Sequence, residues 1–330
     1  MAANEHWMAR LPAELWAIPL SALAIPGSHD TMTYCLDLQS PVVPSQPLVL
    51  RLLDCVAPCV TRPCLYKWGC TQMQSITEQL DAGIRYFDLR VAHRNCDSPS
   101  VLYFAHGIYT LSTVMDALKE VCCWLNCHTK EVVILACSMF DGLSTDDHKQ
   151  LIHFIINLFG KKICPVKVRN GLLSAGLEQK VAIDHVLCQM TPSLKSMWEM
   201  GYQVIISYDH RAASTKLWPK IPYWWADEVD PQKVILFLDQ CKQNGRPEGF
   251  FVAGLNLTED TKYILTHPHQ SMHSLTLENY TTFLKWVEKQ QPGLGKSCLN
   301  IICGDFVGMN SFASIVIDLN QKLLGSLQKN

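Results

Sequence analysis

Three stretches of this chain set an acid–base group directly behind an apolar run. In Ala24-Ile25-Pro26-Gly27-Ser28-His29-Asp30 a Pro-Gly break is followed by a histidine and a carboxylate side by side. Gly83-Ile84-Arg85-Tyr86-Phe87-Asp88-Leu89-Arg90 closes on an aspartate and an arginine two residues apart, hence on one face of a strand. Val101-Leu102-Tyr103-Phe104-Ala105-His106-Gly107 closes on a histidine. An apolar run, a turn and then a titratable side chain is how a sheet protein offers a general base at a strand end. An arginine fork matches the oxygens of an anion. Two histidines, an arginine and carboxylates together suit acid–base chemistry on a phosphate.

Those side chains need a frame, and the rest of the sequence supplies one. The 330 residues are 48% apolar, enough for a large core without staples. After residue 100, strand-like and helical periods alternate. Val132–Cys137 is a continuous apolar run, the pattern of a strand buried on both faces. Gln203–Tyr208, Phe250–Leu257 and Asn300–Phe306 read as further strands. Helices are predicted over Ser112–Leu125, capped at Thr113 with Asp116 three residues on, and over Leu151–Phe159, stopped at Gly160. Others run from Asp230-Pro231 to Gly245, over Thr276–Lys289 and beyond the last strand. Such alternation implies parallel strands with right-handed crossovers. With the three early runs it gives seven strands, and Val181–Leu187 is the candidate eighth. The expected architecture is a single α/β domain over 1–330, a TIM-like (β/α)8 barrel whose closure is irregular and whose site lies at the C-terminal strand ends. Residues 35–75, rich in Pro and Cys without clear periodicity, read as an irregular excursion over the rim.

Charge and cysteine usage narrow the setting. A net charge of −2 argues against a nucleic-acid footprint or a polybasic membrane anchor. No apolar run approaches the roughly 18 residues of a transmembrane span. The N-terminus lacks the pattern of a signal peptide and the glycine of a myristoylation site, and Gln328-Lys329-Asn330 is no prenylation signal. A cytoplasmic protein is expected. The 15 cysteines are then reduced thiols, several acting as small core apolars such as Cys137 and Cys303. Cys55, Cys59, Cys64 and Cys70 cluster, as do Cys122, Cys123, Cys127 and His128, but neither set has the paired spacing of common zinc sites. Ser28 reads as a backbone hydrogen-bonder, because no Gly-x-Ser-x-Gly elbow surrounds it.

Taken in order, Ile25–Asp30, Gly83–Arg90, Phe104–Gly107, Glu131–Ala136, Gly201–Tyr208, Leu217–Trp225, Gly254–Thr258 and Ile301–Gly308 resemble the X domain of phosphatidylinositol-specific phospholipase C. The resemblance spans nearly the whole chain and is closest to small eukaryotic proteins made of an X domain alone. It implies a phosphoric diester hydrolase acting on phosphatidylinositol-type lipids. His29 would take the proton from the inositol 2-hydroxyl, which attacks phosphorus, and His106 would protonate the departing diacylglycerol oxygen. Arg90 would hold the nonbridging phosphate oxygens. Asp88 would orient His106, Asp305 would support His29, and Asp30 would complete the pocket beside Arg90. Ser138, Tyr208, Trp224 and Trp225 are the implied substrate contacts, with core or rim packing the other reading of the two tryptophans.

The resemblance also bears on metals. Calcium-dependent enzymes of this superfamily carry a carboxylate where this chain has Arg90 and an asparagine where it has Asp30. A guanidinium there supplies the positive charge itself, so no calcium or other cofactor is expected. The sequence departs from the family at Ser138, where the bacterial enzymes have a lysine and the calcium-dependent ones a glutamate. Residues from about 165 to 190 have no counterpart and read as an insertion. The expected partner is a phosphoinositide lipid at a membrane surface, and the oligomeric state stays open. Two rival readings remain: a glycerophosphodiester-type barrel hydrolase, whose acidic metal cluster would suffer from Arg90, and a catalytically weakened phosphoinositide-binding or scaffold protein, which Ser138 favours.

Overall fold

The apolar runs become the strands of one sheet. The computed structural model of the protein describes residues 4–94, 101–166, 191–213, 216–309 and 311–327. In chain order the strands are β1 (Ile25–Ser28), β2 (Tyr86–His93), β3 (Leu102–His106), β4 (Ile108–Thr113) and β5 (Val133–Asp141). They continue with β6 (Val204–Tyr208), β7 (Tyr223–Trp224), β8 (Val252–Gly254) and β9 (Ile301–Gly304). Seven of them pair in parallel in the order β7-β8-β9-β1-β2-β5-β6. The sheet curls until its outer strands nearly meet. Trp218, just ahead of β7, bridges Ser207 of β6, accepting from the Tyr208 amide at 2.9 Å and donating to the Ile206 carbonyl at 2.7 Å. The result is an α/β barrel of irregular closure, as expected.

Strand runs are apolar throughout because both faces are covered. Ile25, Tyr86, Ile134, Ile205, Val252 and Ile301 point inward and pack with Trp7, Met8, Leu11, Leu15 and Leu23 of the N-terminal segment, which closes the floor of the barrel. Phe87, Leu89, Val133, Leu135, Ile206 and Phe251 point outward against the helices. Two of those helices start at the expected caps, Thr113 and Asp230, and the helix expected over Leu151–Phe159 begins earlier, at Thr145. Thr113 caps Val114–Cys127, Ser144 and Asp147 form a capping box for Thr145–Phe159, and Asp230 caps Pro231–Asn244. The helix expected over Thr276–Lys289 begins earlier and runs Met272–Val287.

Four expectations need correction or placement. The Pro-Gly pair is not a break: β1 runs through Pro26 and Gly27, while Leu20–Ala22 forms a 3-10 turn. Pro26 is tolerated because β1 pairs with β2 only from Gly27 onward, so its missing N–H faces the turn before β2. The third run is not a parallel barrel strand. Gly107, at φ +77°, reverses the chain, and β3 pairs antiparallel with both β2 and β4 as a hairpin on the rim. The seventh parallel strand is instead the short β7. Residues 35–75 are not irregular either, for Leu48–Val56 and Pro58–Gly69 are helices. The candidate strand Val181–Leu187 and most of the expected insertion lie outside the described residues.

The floor is tied by a buried ion pair. Arg85, just before β2, donates to Glu131, just before β5, at 2.9 and 3.0 Å, and both side chains are fully buried. Glu131 also accepts from the Ala9 amide at 3.1 Å, and Arg85 donates to the Glu5 carbonyl at 2.7 Å. Removing one partner leaves the other charge buried and uncompensated. Glu131→Ala should therefore lower unfolding free energy by about 3–5 kcal/mol in a denaturant titration. A loss below about 1 kcal/mol, the range of exposed pairs, would show that the pair does not hold the floor.

Candidate active site

Strand register brings the expected side chains together before any side chain is placed. Ser28 pairs with Gly304 of β9 on one side and Phe87 of β2 on the other. His29 therefore emerges between Asp305 and Asp88, and Arg90 stands beside Ser138 because those two residues are paired. His29 Nδ1 lies 2.8 Å from Asp305 Oδ1, the contact expected from the sequence. Arg90 Nη2 donates to His29 Nε2 at 2.7 Å. Its Nε lies 2.5 Å from Asp30 Oδ1 and 3.2 Å from Asp88 Oδ2. Asp30 Oδ2 is 3.5 Å from Nε2 of both His29 and His106. The two histidines thus flank one carboxylate, beside one guanidinium.

Backbone geometry supports this crowding. Asp30 (φ +42°), Met139 (φ +66°) and Phe306 (φ +50°) are left-handed, and all lie at C-terminal strand ends around the site. Non-glycine residues adopt that region at a cost of order 1–3 kcal/mol, which surrounding contacts must offset. Gln72 does so here. Its side-chain amide donates to the carbonyls of His29 at 2.8 Å and Gly304 at 3.1 Å, clamping the β1 and β9 turns together.

Asp88 does not orient His106. His106 Nδ1 instead donates to the Gly69 carbonyl at 2.8 Å, while Asp88 accepts from the Asp30 amide at 3.2 Å and from Arg90. The helix Pro58–Gly69 ends against the hairpin so closely that a Cβ on Gly69 would stand 2.9 Å from the His106 carbonyl oxygen. The Gly69 carbonyl thus takes the Nδ1 position.

A cleft of about 480 Å³ opens over this cluster. His29, Asp88, Arg90, His106, Ser138 and Trp225 line it. Tyr208 and Trp224 do not. Tyr208 is buried with its hydroxyl 2.8 Å from His148 Nδ1, and Trp224 packs on Phe251 at 4.7 Å between ring centroids. Ser138 only grazes Asp88, at 3.5 Å, and brings no charge. Ser28 makes no hydrogen bond through its buried hydroxyl. The cleft is also lined by Tyr223, whose hydroxyl donates to Asn256 at 2.9 Å, by the Lys220–Asp209 pair at 2.7 Å, and by Glu259, which was not singled out from the sequence. Glu259 lies in the loop after β8, close behind the apolar run Phe250–Leu257, and that position was the available signal.

Burial sets the electrostatics. It pulls the His29 pKa down, but Asp30 and Asp305 outweigh it, and the net shift is upward from 6.5. Burial raises Asp30, yet Arg90, His106 and His29 hold its carboxyl below the usual value. Asp305 is raised by burial despite His29. Burial pushes Glu259 up to about 7. Among the described residues, His29, Asp30 and Asp88 could offer ligand atoms to a cation, and Glu5, His6 and His128 form a second such group. In the first group Arg90 already stands against both carboxylates. Neither cysteine cluster converges on a metal geometry among the described residues.

The profile of the family described as PI-PLC X 1 matches residues 68–249. The PI-PLC X domain-containing protein 1 of Danio rerio is 50% identical over 321 residues, covering 96% of this chain and 97% of the relative. The chain belongs to the PI-PLC X domain family. The protein of the same description from Homo sapiens is 46% identical over 325 residues, covering 98% of this chain and 94% of the relative. Phosphatidylinositol-specific phospholipase C from Listeria monocytogenes superposes with a TM-score of 0.64 at 18% identity, covering 96% of this chain and 98% of the other. The X domain of this chain thus shares the fold of a bacterial barrel. No helix among its described residues is long and apolar enough to cross a membrane.

The electrostatics of this X-domain site can be read directly. The His29 ring should titrate above 6.5, and Asp305→Asn should bring that midpoint down, because the substitution removes one of the two carboxylates that raise it. Ring-proton NMR of the two proteins decides. An unchanged midpoint would mean that Asp305 does not act on His29.

Proposed function

We propose that this chain is a phosphodiesterase of the phosphatidylinositol-specific phospholipase C type. It would cleave phosphatidylinositol-type lipids to diacylglycerol and a cyclic inositol phosphate without a metal ion. The observation that carries this reading is the unequal setting of the two histidines. His29 faces an acceptor at Nδ1 and the Arg90 donor at Nε2, the pattern of a neutral imidazole with its lone pair toward the cleft. His106 donates to the Gly69 carbonyl from Nδ1 and keeps Nε2 free of any hydrogen bond among the described residues, which leaves that nitrogen open to a departing oxygen. One ring is set as a base and the other as an acid.

The steps follow from those settings. An inositol hydroxyl entering the cleft would replace Arg90 at His29 Nε2 and give up its proton there, with Asp305 stabilising the imidazolium that forms. Arg90, released toward the phosphate, would bind the nonbridging oxygens as charge builds. The hydroxyl oxygen attacks phosphorus, the phosphorus–glycerol oxygen bond breaks, and His106 supplies the proton to the departing alkoxide. Arg90 already balances Asp30 and Asp88, the carboxylates that a cation would require, which supports a metal-free site. Phosphoinositide binding without turnover is the second reading, favoured by uncharged Ser138 where the related catalytic chains place a charged residue. Cytoplasmic residence fits the free thiols of the described cysteines.

Phosphatidylinositol in detergent micelles tests the proposal. Diacylglycerol release should withstand a chelator and fall by about 10²–10⁴ in His29→Ala and in His106→Ala. Arg90→Lys should lose about 10²–10³ despite keeping its charge, because the fork geometry is gone. Chelator-sensitive release would overturn the metal-free mechanism. Lipid binding with no release would establish the second reading instead. The raised His29 pKa puts the acid limb of kcat/KM above pH 6.5, activity rising as pH climbs through it.

A further inference from the structure

The helix Leu48–Val56 and the start of the next, Pro58–Gly69, turn an apolar face away from the protein. Leu48, Val49, Leu52, Leu53, Val56 and Val60 are all exposed, from 44% at Leu53 to 79% at Val56. Among the described residues, the other exposed large apolar side chains are scattered along the chain. Cys55 is seven residues from Leu48 and three from Leu52, so its thiol stands on the same helical stripe. Cys59 follows across the Ala57 break, beside Val60, and both thiols are free and exposed. A thiol pair set among exposed leucines and valines has no packing role.

Charge and position say what meets this face. Between Gln39 and Thr77 the only acidic residue is Asp54, against Arg51, Arg62 and Lys67, in a chain whose net charge is −2. Asp54 is buried and paired with Arg62 at 2.7 Å. The segment therefore joins an exposed apolar face to a net positive charge, with Arg51 on the same helix, the composition that lies in an anionic lipid interface. Its inner side packs on the hairpin that carries His106, Leu65 and Tyr66 resting against Leu36, Val42 and Ile108. Its C-terminal end supplies Gly69 to His106, so the face stands on the same rim as the cleft.

We propose that Cys55 and Cys59 are S-acylated and that the two chains, with the apolar face, anchor this rim on a membrane. Each thiolate attacks the carbonyl carbon of a long-chain acyl thioester, a C–S bond forms, the C–S bond to the carrier breaks, and the carrier leaves with the proton as a free thiol. No electrons are exchanged. One chain of this kind holds a protein only marginally, whereas two give stable attachment, which is the value of a pair. The use of the anchor, to hold the cleft at its lipid, rests on the phosphodiesterase reading; the modification itself does not.

The test is the full chain expressed in animal cells supplied with an alkynyl fatty acid. Wild-type protein should carry label that hydroxylamine removes and should sediment with membranes. Cys55→Ser/Cys59→Ser should lose the label and move to the supernatant, and Cys123→Ser/Cys127→Ser, on another exposed helix, should do neither. Circular dichroism checks that the variants fold, and turnover of phosphatidylinositol in detergent micelles should be unchanged in both, since neither pair touches the cleft. Unlabelled wild-type protein, or label that survives the first double substitution, overturns the proposal. So does a dimer of the unacylated chain whose membrane association the substitutions leave intact, which would assign the face to a second copy. Label without micelle turnover in wild type would refute the phosphodiesterase reading and leave the acylation standing.

Discussion

Three aspartates with little contact with water, Asp30, Asp88 and Asp305, crowd the ends of β1, β2 and β9. Each would be costly there as an isolated charge. One guanidinium stands against two of them, and one imidazole against the third and the first. Every other feature of the site follows from that arrangement. The register between β1, β2 and β9 must hold, because a slip of one residue would turn Asp88 and Arg90 to the opposite face. The left-handed turn at Asp30 must be held, since it swings the carboxylate between the rings. Gln72 and the floor pair Arg85–Glu131 fix the two ends of the strands that carry this charge cluster.

The barrel was legible because its strands are buried on both faces. Such strands read as continuous apolar runs; Asn300–Phe306 emerges as β9 within two residues at each end, and Val132–Cys137 as β5, which runs four residues further to Asp141. The cluster His29, Arg90, His106 was legible for a related reason, each residue standing where an apolar run ends. β7 was hidden because two residues, Tyr223 and Trp224, have no period to detect. Hairpin and parallel strand are likewise indistinguishable in Val101–His106, and only the turn at Gly107 separates them.

Pairwise roles were harder to read than positions. The resemblance assigned Asp88 to His106, whereas the partner of His106 is a backbone carbonyl, which no side-chain pattern reveals. Tyr208 failed for the opposite reason. Its strand points alternate side chains to opposite faces, and the tyrosine falls on the outer one with Ile206. The rim helices were missed although Leu48–Val56 is amphipathic, because Pro41, Pro44, Pro47 and Pro58 frame it as a loop and Pro63 interrupts the next helix.

The hairpin β3–β4 gives the two histidines different mechanical owners. His29 grows from the barrel wall, whereas His106 belongs to a hairpin and helix that lean on the wall through a short antiparallel ladder. Local unfolding follows such seams, and the smaller unit opens at lower free energy than the whole. The distance between the two imidazoles is therefore a soft coordinate. It can widen while every barrel strand stays paired, and mutations in the rim can retune it without touching either imidazole.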